Sequence, residues 1–341
     1  MPAIIAAGAG LNLSDSGRQI HAPPAVTKTV ARPSKLGDNC MVATEHVYGG
    51  RSAVFEQLRP RLFAVAYRMT GTRADAEDVV QEAYLRWHRA ETSDVRSAEA
   101  WLVRVTTRLS IDRLRKVSLE REKYTGPWLP EPLFGVHPRS PEERLELDSD
   151  LSLAFMVLLE RLAPVERAAF LLHDVFDCEY PEIARTLRKG EAACRQIVHR
   201  ARERVRSDRR RFDVSEQDRR RLIEKFTEAA GAGDEATLLS LFAEDATLTS
   251  DGGGVVPAAR KVITGRRRIA RLYLVLARKL GRRFTQSVLN INGEPGLVGY
   301  LDGVPFSAMA FETDGRSILA LYNILNPEKL KGISSRSDPR D

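Results

Sequence analysis

One stretch of this chain, residues 181–206, limits the possible fold more than any other. Apolar residues recur there at helical spacing on both sides of a short polar turn, Arg188-Lys189-Gly190. Two helices joined by a turn of three or four residues form a helix-turn-helix, whose second helix enters the DNA major groove. The sequence therefore predicts this motif. The apolar stripe of its second helix is formed by Cys194, Ile197, Val198, Ala201 and Val205.

The side of the second helix opposite this stripe is basic and polar, and it carries Arg195, Gln196, His199, Arg200, Arg202 and Arg206. Residues 188–211 contain ten Lys and Arg against three Asp and Glu, a net +7 that equals the formal net charge of the whole chain. Positive charge concentrated along one helix is the electrostatic signature of nucleic-acid binding. We therefore assign the positive excess of the chain to this helix and its tail. The alternative is a solvated basic helix, but the turn and the stripe favour DNA binding.

The composition excludes several other classes of protein. A chain of 341 residues with 43% hydrophobic and 29% charged residues is typical of a soluble protein with two or three domains. No uncharged apolar run reaches the length of a membrane-spanning helix. Cys40, Cys178 and Cys194 lie far apart and form no CxxC pair. We therefore expect no metal, no cofactor, no disulfide framework and no membrane contact, and a cytoplasmic location.

A first helical domain is expected at residues 46–118. Its second helix begins near Arg73 and carries four acids within eight residues, which is more than the helix N-terminus needs and indicates a docking face for a basic partner. The next helix, residues 99–117, presents Thr107 and several basic side chains on its outer face. An acidic and a basic face in one small domain predict two different partners. The acids are Asp75, Glu77, Asp78 and Glu82; the bases include Arg104, Arg108, Arg113 and Arg115.

The segments around the helical domains differ in composition. Residues 1–45 are rich in Ala, Gly, Pro and Ser and are expected to form a disordered tail. Residues 332–341 are expected to be a C-terminal tail. Residues 119–149 contain five prolines and are expected to be a linker between the first helical domain and a second one at 150–212. Three apolar residues of this linker, Trp128, Leu129 and Leu133, are unusual in a flexible segment, so we expect them to dock on a neighbouring domain.

The character of the chain changes after Val214. Two helices are followed by short β-like runs that a helix at 266–280 interrupts, which predicts an α+β domain with a largely antiparallel sheet at 213–331. A glycine-rich loop, Asp251-Gly252-Gly253-Gly254, lies within this domain. The predicted strands are residues 247–249, 284–291, 296–301, 305–312 and 317–324.

Three segments, DAEDVVQEAYLRW (75–87), AWLVRVTTRLSIDRLR (100–115) and LAPVERAAFLLHDVFDCEYPEIARTL (162–187), resemble regions 2 and 4 of bacterial extracytoplasmic-function (ECF) sigma factors. The C-terminal part resembles a SnoaL-like domain of the NTF2-like cone fold. A subgroup of these sigma factors combines such a domain with a WLPEP linker, a DGGG loop and a late NPxKL motif, which stand here at 128–132, 251–254 and 326–330. The resemblance implies a multidomain chain: two all-α sigma domains, the second a helix-turn-helix, then an α+β cone-like domain.

The resemblance also implies roles for residues that match the family pattern. The acidic face would bind the β′ coiled coil of core RNA polymerase through Asp75, Asp78, Gln81 and Glu82. The basic helix would bind the promoter −10 element through Trp101, Arg104, Arg108, Arg113 and Arg115. The recognition helix would read the −35 element through Arg195, Gln196, His199 and Arg200. Interdomain regulation would involve Trp128, Leu129, Pro130, Asp251, Gly252, Gly253, Gly254, Asn326 and Pro327.

Two positions depart from the family pattern. Arg108 stands where the family often has Asn, so the −10 sequence does not follow from the resemblance. The turn reads Leu187-Arg188-Lys189-Gly190 in place of the common Leu-Gly-x-Ser. Arg188 is therefore expected to adopt a backbone conformation that glycine would favour.

The expected function is promoter recognition by a non-enzymatic sigma factor that recruits core polymerase and is regulated in cis by its SnoaL-like domain. One rival is a one-component helix-turn-helix regulator whose C-terminal domain binds a small ligand. Another is a cyclase or isomerase tethered to DNA-binding helices. Residues 216–341 contain no His and no Cys, the usual acid/base and metal-binding residues, which counts against the enzyme. The sign of the regulation and a ligand for the C-terminal domain stay open.

Overall fold

The computed structural model describes residues 41–91, 97–135, 151–206 and 214–334, with side chains from residue 50 onward. The predicted tail at 1–45 lies outside the described residues except at 41–45, where the backbone is helical. No proline interrupts residues 41–59, so the first helix can begin this early. Residues 136–150, most of them in the predicted linker, lie outside the described residues, as do residues 335–341 of the C-terminal tail. None of the described helices is both long and apolar enough to span a membrane.

The first helical group consists of α1 (Met41–Thr70), α2 (Arg73–Arg89) and α3 (Ala98–Arg121). Gly71 follows α1 with a φ of +78°, a conformation that glycine adopts without strain. The hydroxyl of Thr72 then caps α2 by accepting a hydrogen bond from the backbone N–H of Asp75 at 3.2 Å. Ser97 caps α3 in the same way. These caps start α2 and α3 close to the positions that the apolar periodicity predicts.

The second helical group consists of α4 (Leu153–Leu159), α5 (Pro164–Asp174), α6 (Tyr180–Leu187) and α7 (Glu191–Arg206). Helices α6 and α7 form the predicted helix-turn-helix and pack on α5. All five residues of the predicted apolar stripe of α7 are buried. Arg188 ends α6 in the left-handed conformation, with φ +53° and ψ +48°. The expectation that it takes a glycine-like backbone geometry is confirmed, at a cost of roughly 1–2 kcal/mol for a residue with a β-carbon.

The two helical groups share one apolar core. Leu62 and Val65 of α1 belong to the same buried cluster as Phe155 of α4 and Ile183 of α6. Complete burial of one such side chain contributes about 1.5–3 kcal/mol. The groups are therefore held against each other by apolar contacts and not by the linker alone.

The C-terminal part begins with two helices, α8 (Glu216–Ala232) and α9 (Glu235–Leu241). Its six-stranded sheet has the order β2-β1-β6-β5-β4-β3, with β1 and β6 parallel and the other neighbours antiparallel. Helix α10 (Arg266–Leu280) connects β2 to β3 through a 3₁₀ turn at Gly281–Arg283. The strands are β1 (Phe242–Asp251), β2 (Ile263–Thr264), β3 (Phe284–Ile291), β4 (Glu294–Leu301), β5 (Val304–Thr313) and β6 (Ile318–Ile324).

Alternate side chains of each strand point to opposite faces of the sheet. Both faces are covered by other parts of the chain. On one face, Leu297 and Phe311 pack with α8 and α10. On the other face, Val298 packs in a cluster with Leu129 of the linker and Leu153 of α4. The sheet is thus covered on one side by its own helices and on the other by the chain that precedes it.

The predicted fold class, helical domains followed by an α+β domain with a largely antiparallel sheet, is confirmed. Two details of the prediction are wrong. The strand predicted at 247–249 extends from Phe242 to Asp251, and it pairs in parallel with β6. The pairing brings together segments about seventy residues apart, so local periodicity contains no signal for it.

Candidate functional site

Helix α7 presents the side chains that were expected to contact DNA. Arg202 and Arg204 turn toward α5, where they pair with Asp174 at 2.7 Å and Glu166 at 2.5 Å. Arg202 is therefore only partly exposed, although it was predicted on the outer face. These ion pairs connect α7 to α5. The four residues predicted to read the −35 element face outward. The exposed set is Arg195, Gln196, His199 and Arg200.

Helix α3 turns part of its predicted DNA-binding side toward the helix-turn-helix. The guanidinium of Arg108 donates hydrogen bonds to the carbonyl oxygens of Thr186 at 2.9 Å and Arg185 at 2.6 Å. These carbonyls lie at the C-terminal end of α6, where a helix lacks its own donors. Burial lowers the pKa of Arg108. Thr107, which was predicted to be exposed, is buried because α5 and α6 pack against α3.

Arg113 and Asp75 were predicted on two separate surfaces, but they contact each other. Nε and Nη2 of Arg113 lie 2.7 Å and 2.5 Å from Oδ1 of Asp75. The Asp75 side chain faces α3 and is 6% exposed as a residue, so it does not lie on the exposed acidic face predicted for it. In this arrangement the pair joins α2 to α3.

The rest of the predicted acidic face of α2 does point outward. Asp78 and Gln81 are exposed, and Glu82 is partly exposed with an ion pair to Arg86 at 2.8 Å. These three side chains remain accessible to a partner.

Aromatic and arginine side chains border the cleft between α3 and the helix-turn-helix. Trp101 and Arg104 line a groove of about 510 Å³ whose other wall includes Arg185. The ring of Trp101 packs 5.4 Å from that of Trp87. Arg115 lies outside the groove and is exposed, 3.4 Å from Asp112. Among the five predicted −10 residues, Arg108 and Arg113 are thus engaged within the protein, and the others are at least partly accessible.

The WLPEP linker, DGGG loop and NPxKL motif meet at one place, which we call the seam. Its centre is the buried carboxylate of Asp251. That carboxylate accepts hydrogen bonds from the Tyr124 hydroxyl at 2.6 Å, the Leu129 N–H at 2.9 Å and the Gly253 N–H at 3.0 Å. It also accepts one from the Lys329 ammonium at 2.7 Å. The linker therefore contacts the C-terminal domain through the backbone N–H of Leu129.

Lys329 adds a buried cation to the seam. Its ammonium donates to the carbonyl of Leu129 as well as to Asp251, and it lies 4.1 Å from the centre of the Trp128 ring. The same indole contacts the guanidinium of Arg121 at the end of α3, 3.4 Å from the ring centre. Burial lowers the pKa of Lys329 to about 8, while the nearby Asp251 acts in the opposite direction. Lys329 stands inside the NPxKL motif but was not among the predicted interdomain residues.

The glycines of the DGGG loop permit close backbone approach. A β-carbon on Gly252 would lie 2.2 Å from the Val256 carbonyl oxygen, and one on Gly253 would lie 2.6 Å from the side chain of Asn326. Gly254 faces Thr125 of the linker. The Asn326 amide in turn donates to the Tyr124 hydroxyl at 2.9 Å. Of the remaining predicted seam residues, Pro130 is buried, whereas Pro327 is exposed and starts the short 3₁₀ turn Pro327–Leu330.

A second interdomain contact lies at the tip of the β3–β4 hairpin, away from all three motifs. The side-chain amide of Asn292 donates to the Tyr67 hydroxyl at 2.8 Å and to the Leu151 carbonyl at 3.0 Å. Its side-chain oxygen accepts from the Leu133 N–H at 2.9 Å. One side chain thus connects α1, the linker and the start of α4. The sequence carries a signal for the turn, since Asn292-Gly293 between apolar strands is typical of a two-residue hairpin, but none for its partners.

The linker also reaches the start of α2. The Glu131 carboxylate accepts a hydrogen bond from the Arg73 N–H at 2.9 Å, and the Glu131 N–H donates to the Gly71 carbonyl at 2.8 Å. A carboxylate at a helix N-terminus is favoured by the helix dipole. Burial raises the pKa of Glu131. The seam is therefore connected to the helix that carries the exposed acids.

An ionic cluster joins the two helical groups. Glu160, which follows α4, lies 2.5 Å from Arg121 of α3 and 2.7 Å from Arg167 of α5. Arg121 donates to the Thr70 carbonyl at 2.6 Å, and Arg167 to the Met69 carbonyl at 2.9 Å. No sequence pattern indicates this cluster, because Arg121 is separated from Glu160 and Arg167 by the linker and α4.

Comparison with known proteins decides what this assembly is. Residues 54–119 match the family model of sigma-70 region 2, and residues 152–205 match that of sigma-70 region 4. The chain is 38% identical over 290 residues to the ECF RNA polymerase sigma factor SigJ of Mycobacterium tuberculosis strain H37Rv, a match that covers 82% of this chain and 92% of SigJ. The chain belongs to the ECF RNA polymerase sigma factors.

Two further similarities agree with this assignment. The probable ECF sigma factor SigI of the same organism is 30% identical over 288 residues, which covers 82% of this sigma factor and 94% of SigI. The crystal structure of M. tuberculosis SigJ superposes with a TM-score of 0.68 at 36% identity, covering 84% of this sigma factor and all of that chain. Region 2 thus coincides with α1–α3 and region 4 with α4–α7, and a SnoaL-like domain follows them, as the sequence predicts.

Proposed function

We propose that this sigma factor recruits core RNA polymerase through α2, contacts the −10 element through α3 and reads the −35 element through α7. The observation that carries the proposal is the outward set on α7, held in place by ion pairs to α5 within the region 4 match. Arginine can pair bidentately with guanine and glutamine with adenine in the major groove. Asp78, Gln81 and Glu82 are the proposed contacts for the β′ coiled coil, since Asp75 is buried against Arg113.

The arrangement seen here is proposed to be a closed state. Arg108 binds the end of α6, and α5 and α6 cover part of the α3 surface that would contact DNA. The −10 and −35 elements are separate sites along the duplex, so we propose that regions 2 and 4 separate before α3 and α7 bind both. Opening would free the guanidinium of Arg108 for a phosphate or a base.

The SnoaL-like domain is proposed to hold this closed state as a regulator in cis. Its seam fixes the linker, and its hairpin tip contacts region 2, the linker and region 4 at once. The contacts of the seam and of the hairpin tip would both have to break for regions 2 and 4 to move apart. We accordingly assign an inhibitory sign to the regulation, which the sequence leaves open.

A catalytic role for the SnoaL-like domain is not favoured. Phe226 packs its ring against Phe242, Tyr273 and Phe311 at centroid distances of 6.0, 5.0 and 5.6 Å, so aromatic side chains occupy the space between the helices and the sheet. The carboxylate of Asp251, which belongs to the same domain, lies in the seam and is hydrogen-bonded there. We propose that the chain is not an enzyme and acts in the cytoplasm with polymerase. The proposed domain limits are 46–118 for region 2, 150–212 for region 4 and 213–331 for the SnoaL-like domain.

Charge reversal on α2 tests the proposed polymerase contact. The variant Asp78→Lys/Glu82→Lys should lose transcription with core polymerase by about tenfold or more, because like charges across an interface oppose binding. Binding of the same variant to promoter DNA without polymerase should change little. A matched control, Glu224→Lys/Glu228→Lys on the exposed side of α8, should transcribe normally. If the α2 variant transcribes as well as the control, α2 is not the polymerase contact, and a regulator acting without polymerase becomes the better description.

A further inference from the structure

A second basic segment, in the SnoaL-like domain, carries more charge than the recognition helix. Residues 260–283 contain ten Lys and Arg and no Asp or Glu, a net +10 against +7 for residues 188–211. The assignment of the positive excess to the helix-turn-helix alone is therefore wrong. Promoter recognition by regions 2 and 4 makes no use of this segment.

The structure gathers most of these charges on one side of α10. Ile269, Ala270, Tyr273 and Leu274 face the domain core. The exposed positions recur at helical spacing, which places them within about a third of the helix circumference. We call this set the α10 stripe: Arg267, Arg268, Arg271, Arg278 and Lys279, continued by Arg282.

The α10 stripe has no acidic partners among the residues that the structure describes. Several arginines elsewhere on the surface pair with a neighbouring acid, as Arg73 does with Glu77 and Arg220 with Glu216. In residues 260–283, Arg283 pairs with Asp302, and no other basic side chain forms an ion pair or a hydrogen bond to a described residue. Unpaired like charges repel one another, so an anionic partner would relieve a repulsion that the free protein carries.

The chemistry of the stripe favours nucleic-acid phosphates over an acidic protein. Protein interfaces have an apolar core enriched in aromatic side chains. The stripe offers one exposed apolar residue, Val275, while the aromatic residue of α10, Tyr273, is buried. A row of Arg and Lys without an apolar centre is what sequence-independent contact with a phosphate backbone requires.

The position of the segment is consistent with DNA as the partner. Its first residue, Arg260, packs against Gly126 of the linker, where an added β-carbon would lie 3.7 Å from the Arg260 Cα. Gly126 follows the end of α3 at Arg121. The basic segment thus begins beside Gly126, five residues beyond the end of the region 2 helix, while the α10 stripe itself lies on the helix-covered side of the sheet.

We propose that the α10 stripe binds the phosphate backbone of duplex DNA without reading its sequence. From Arg267 to Lys279 the stripe is about 18 Å long, at about 1.5 Å per residue. With one phosphate per roughly 3.4 Å along each strand, it spans about five phosphates. The SnoaL-like domain is then a third DNA-binding surface of this sigma factor, and not only a regulator of the other two.

The salt dependence of DNA binding tests this proposal. The full chain is titrated into a labelled random-sequence 30-base-pair duplex at several salt concentrations, with no polymerase present, for wild type and for Arg267→Gln/Arg268→Gln/Arg271→Gln. Each phosphate contact contributes about 0.9 to the slope of log K against log salt, so the slope should fall by about 2 to 3. A second variant, Arg278→Gln/Lys279→Gln, should lower it by about 1 to 2.

A charge-matched control separates local contact from net charge. Arg220→Gln/Arg221→Gln/Lys225→Gln removes three positive charges from α8 of the same domain, where Arg220 and Arg221 already have acidic partners. It should leave the slope unchanged. The proposal is overturned if the stripe variants keep the wild-type slope, or if the control loses as much as they do. A stripe variant with normal DNA binding but weaker binding to core polymerase would also overturn it. Because the duplex is random, these outcomes do not depend on promoter recognition by regions 2 and 4.

Discussion

At the scale of single residues, the seam depends most on Asp251. Its carboxylate is fully buried and accepts hydrogen bonds from Tyr124, Leu129, Gly253 and Lys329. A carboxylate has acceptor sites for all four donors. No other common side chain of this size offers acceptors alone.

We predict that Asp251→Asn weakens the seam. The new amide group would direct its own N–H donors at the Lys329 ammonium or at the Leu129 N–H, and the buried cation would lose its counter-charge. Breaking a buried pair from one side typically costs about 3–5 kcal/mol. The measurement is the midpoint of urea unfolding, read from the fluorescence of Trp128 and the other tryptophans. Asp302→Asn, which removes an exposed ion pair to Arg283, is the control and should leave the midpoint almost unchanged.

The sequence identifies some of these residues but not their partners. Asp251, Trp128 and Leu129 could be named as interdomain residues because they stand in recognisable motifs. Lys329 lies 78 residues from Asp251, and no local pattern indicates that the two form a buried pair. Arg113 and Asp75 were assigned to different surfaces for the same reason, since only the packing of α2 on α3 brings them together.

At the scale of secondary-structure elements, the tip of the β3–β4 hairpin connects the SnoaL-like domain to the helical part of the chain. Asn292 and Gly293 form its tip with φ values of +54° and +85°. The tip meets Tyr67, Leu133 and Leu151, which belong to three different segments of the chain. A tight turn with a polar tip can therefore connect parts of the molecule that share no sequence neighbourhood.

We predict that Asn292→Gly loosens this contact without straining the turn. Glycine tolerates the positive φ, so the substitution removes the side-chain hydrogen bonds alone. Leaving buried partners unsatisfied costs about 1–3 kcal/mol, which corresponds to a fall of several degrees in the thermal unfolding midpoint. Asn290→Gly on β3 is the matched control, because no hydrogen-bond partner is found for its side-chain oxygen. Equal midpoints for Asn292→Gly and wild type would show that the hairpin tip does not hold the groups together.

The bounds and buried sides of helices could be predicted from local sequence patterns. The pairing of segments that are distant in the sequence could not. Capping residues and apolar stripes give the starts of α2 and α3 and the buried side of α7. The parallel pairing of β1 with β6 and the coverage of α3 by α5 and α6 arise from tertiary packing. The helical periodicity of α3 therefore predicts an exposed Thr107, and the fold buries it.

At the scale of the whole molecule, regions 2 and 4 and the SnoaL-like domain interlock. The apolar core joins the two sigma regions, the Arg121–Glu160–Arg167 cluster supports that contact, and the seam and hairpin tip fasten it from the C-terminal side. The proposed function requires this arrangement to open, so under that proposal regulation acts on the free energy of opening.

The measurement that tests this central claim most directly is transcription by a chain that is reversibly held closed. Arg104→Cys on α3 and Arg185→Cys on α6, which line the same groove, would be joined by a short cleavable thiol-reactive linker. The three native cysteines would first be replaced by Ala. Linked protein should support little transcription with core polymerase, and cleavage of the linker should restore the activity of the unlinked variant. If the linked chain transcribes as well as the cleaved one, regions 2 and 4 need not separate, and the closed arrangement is not an inhibited state.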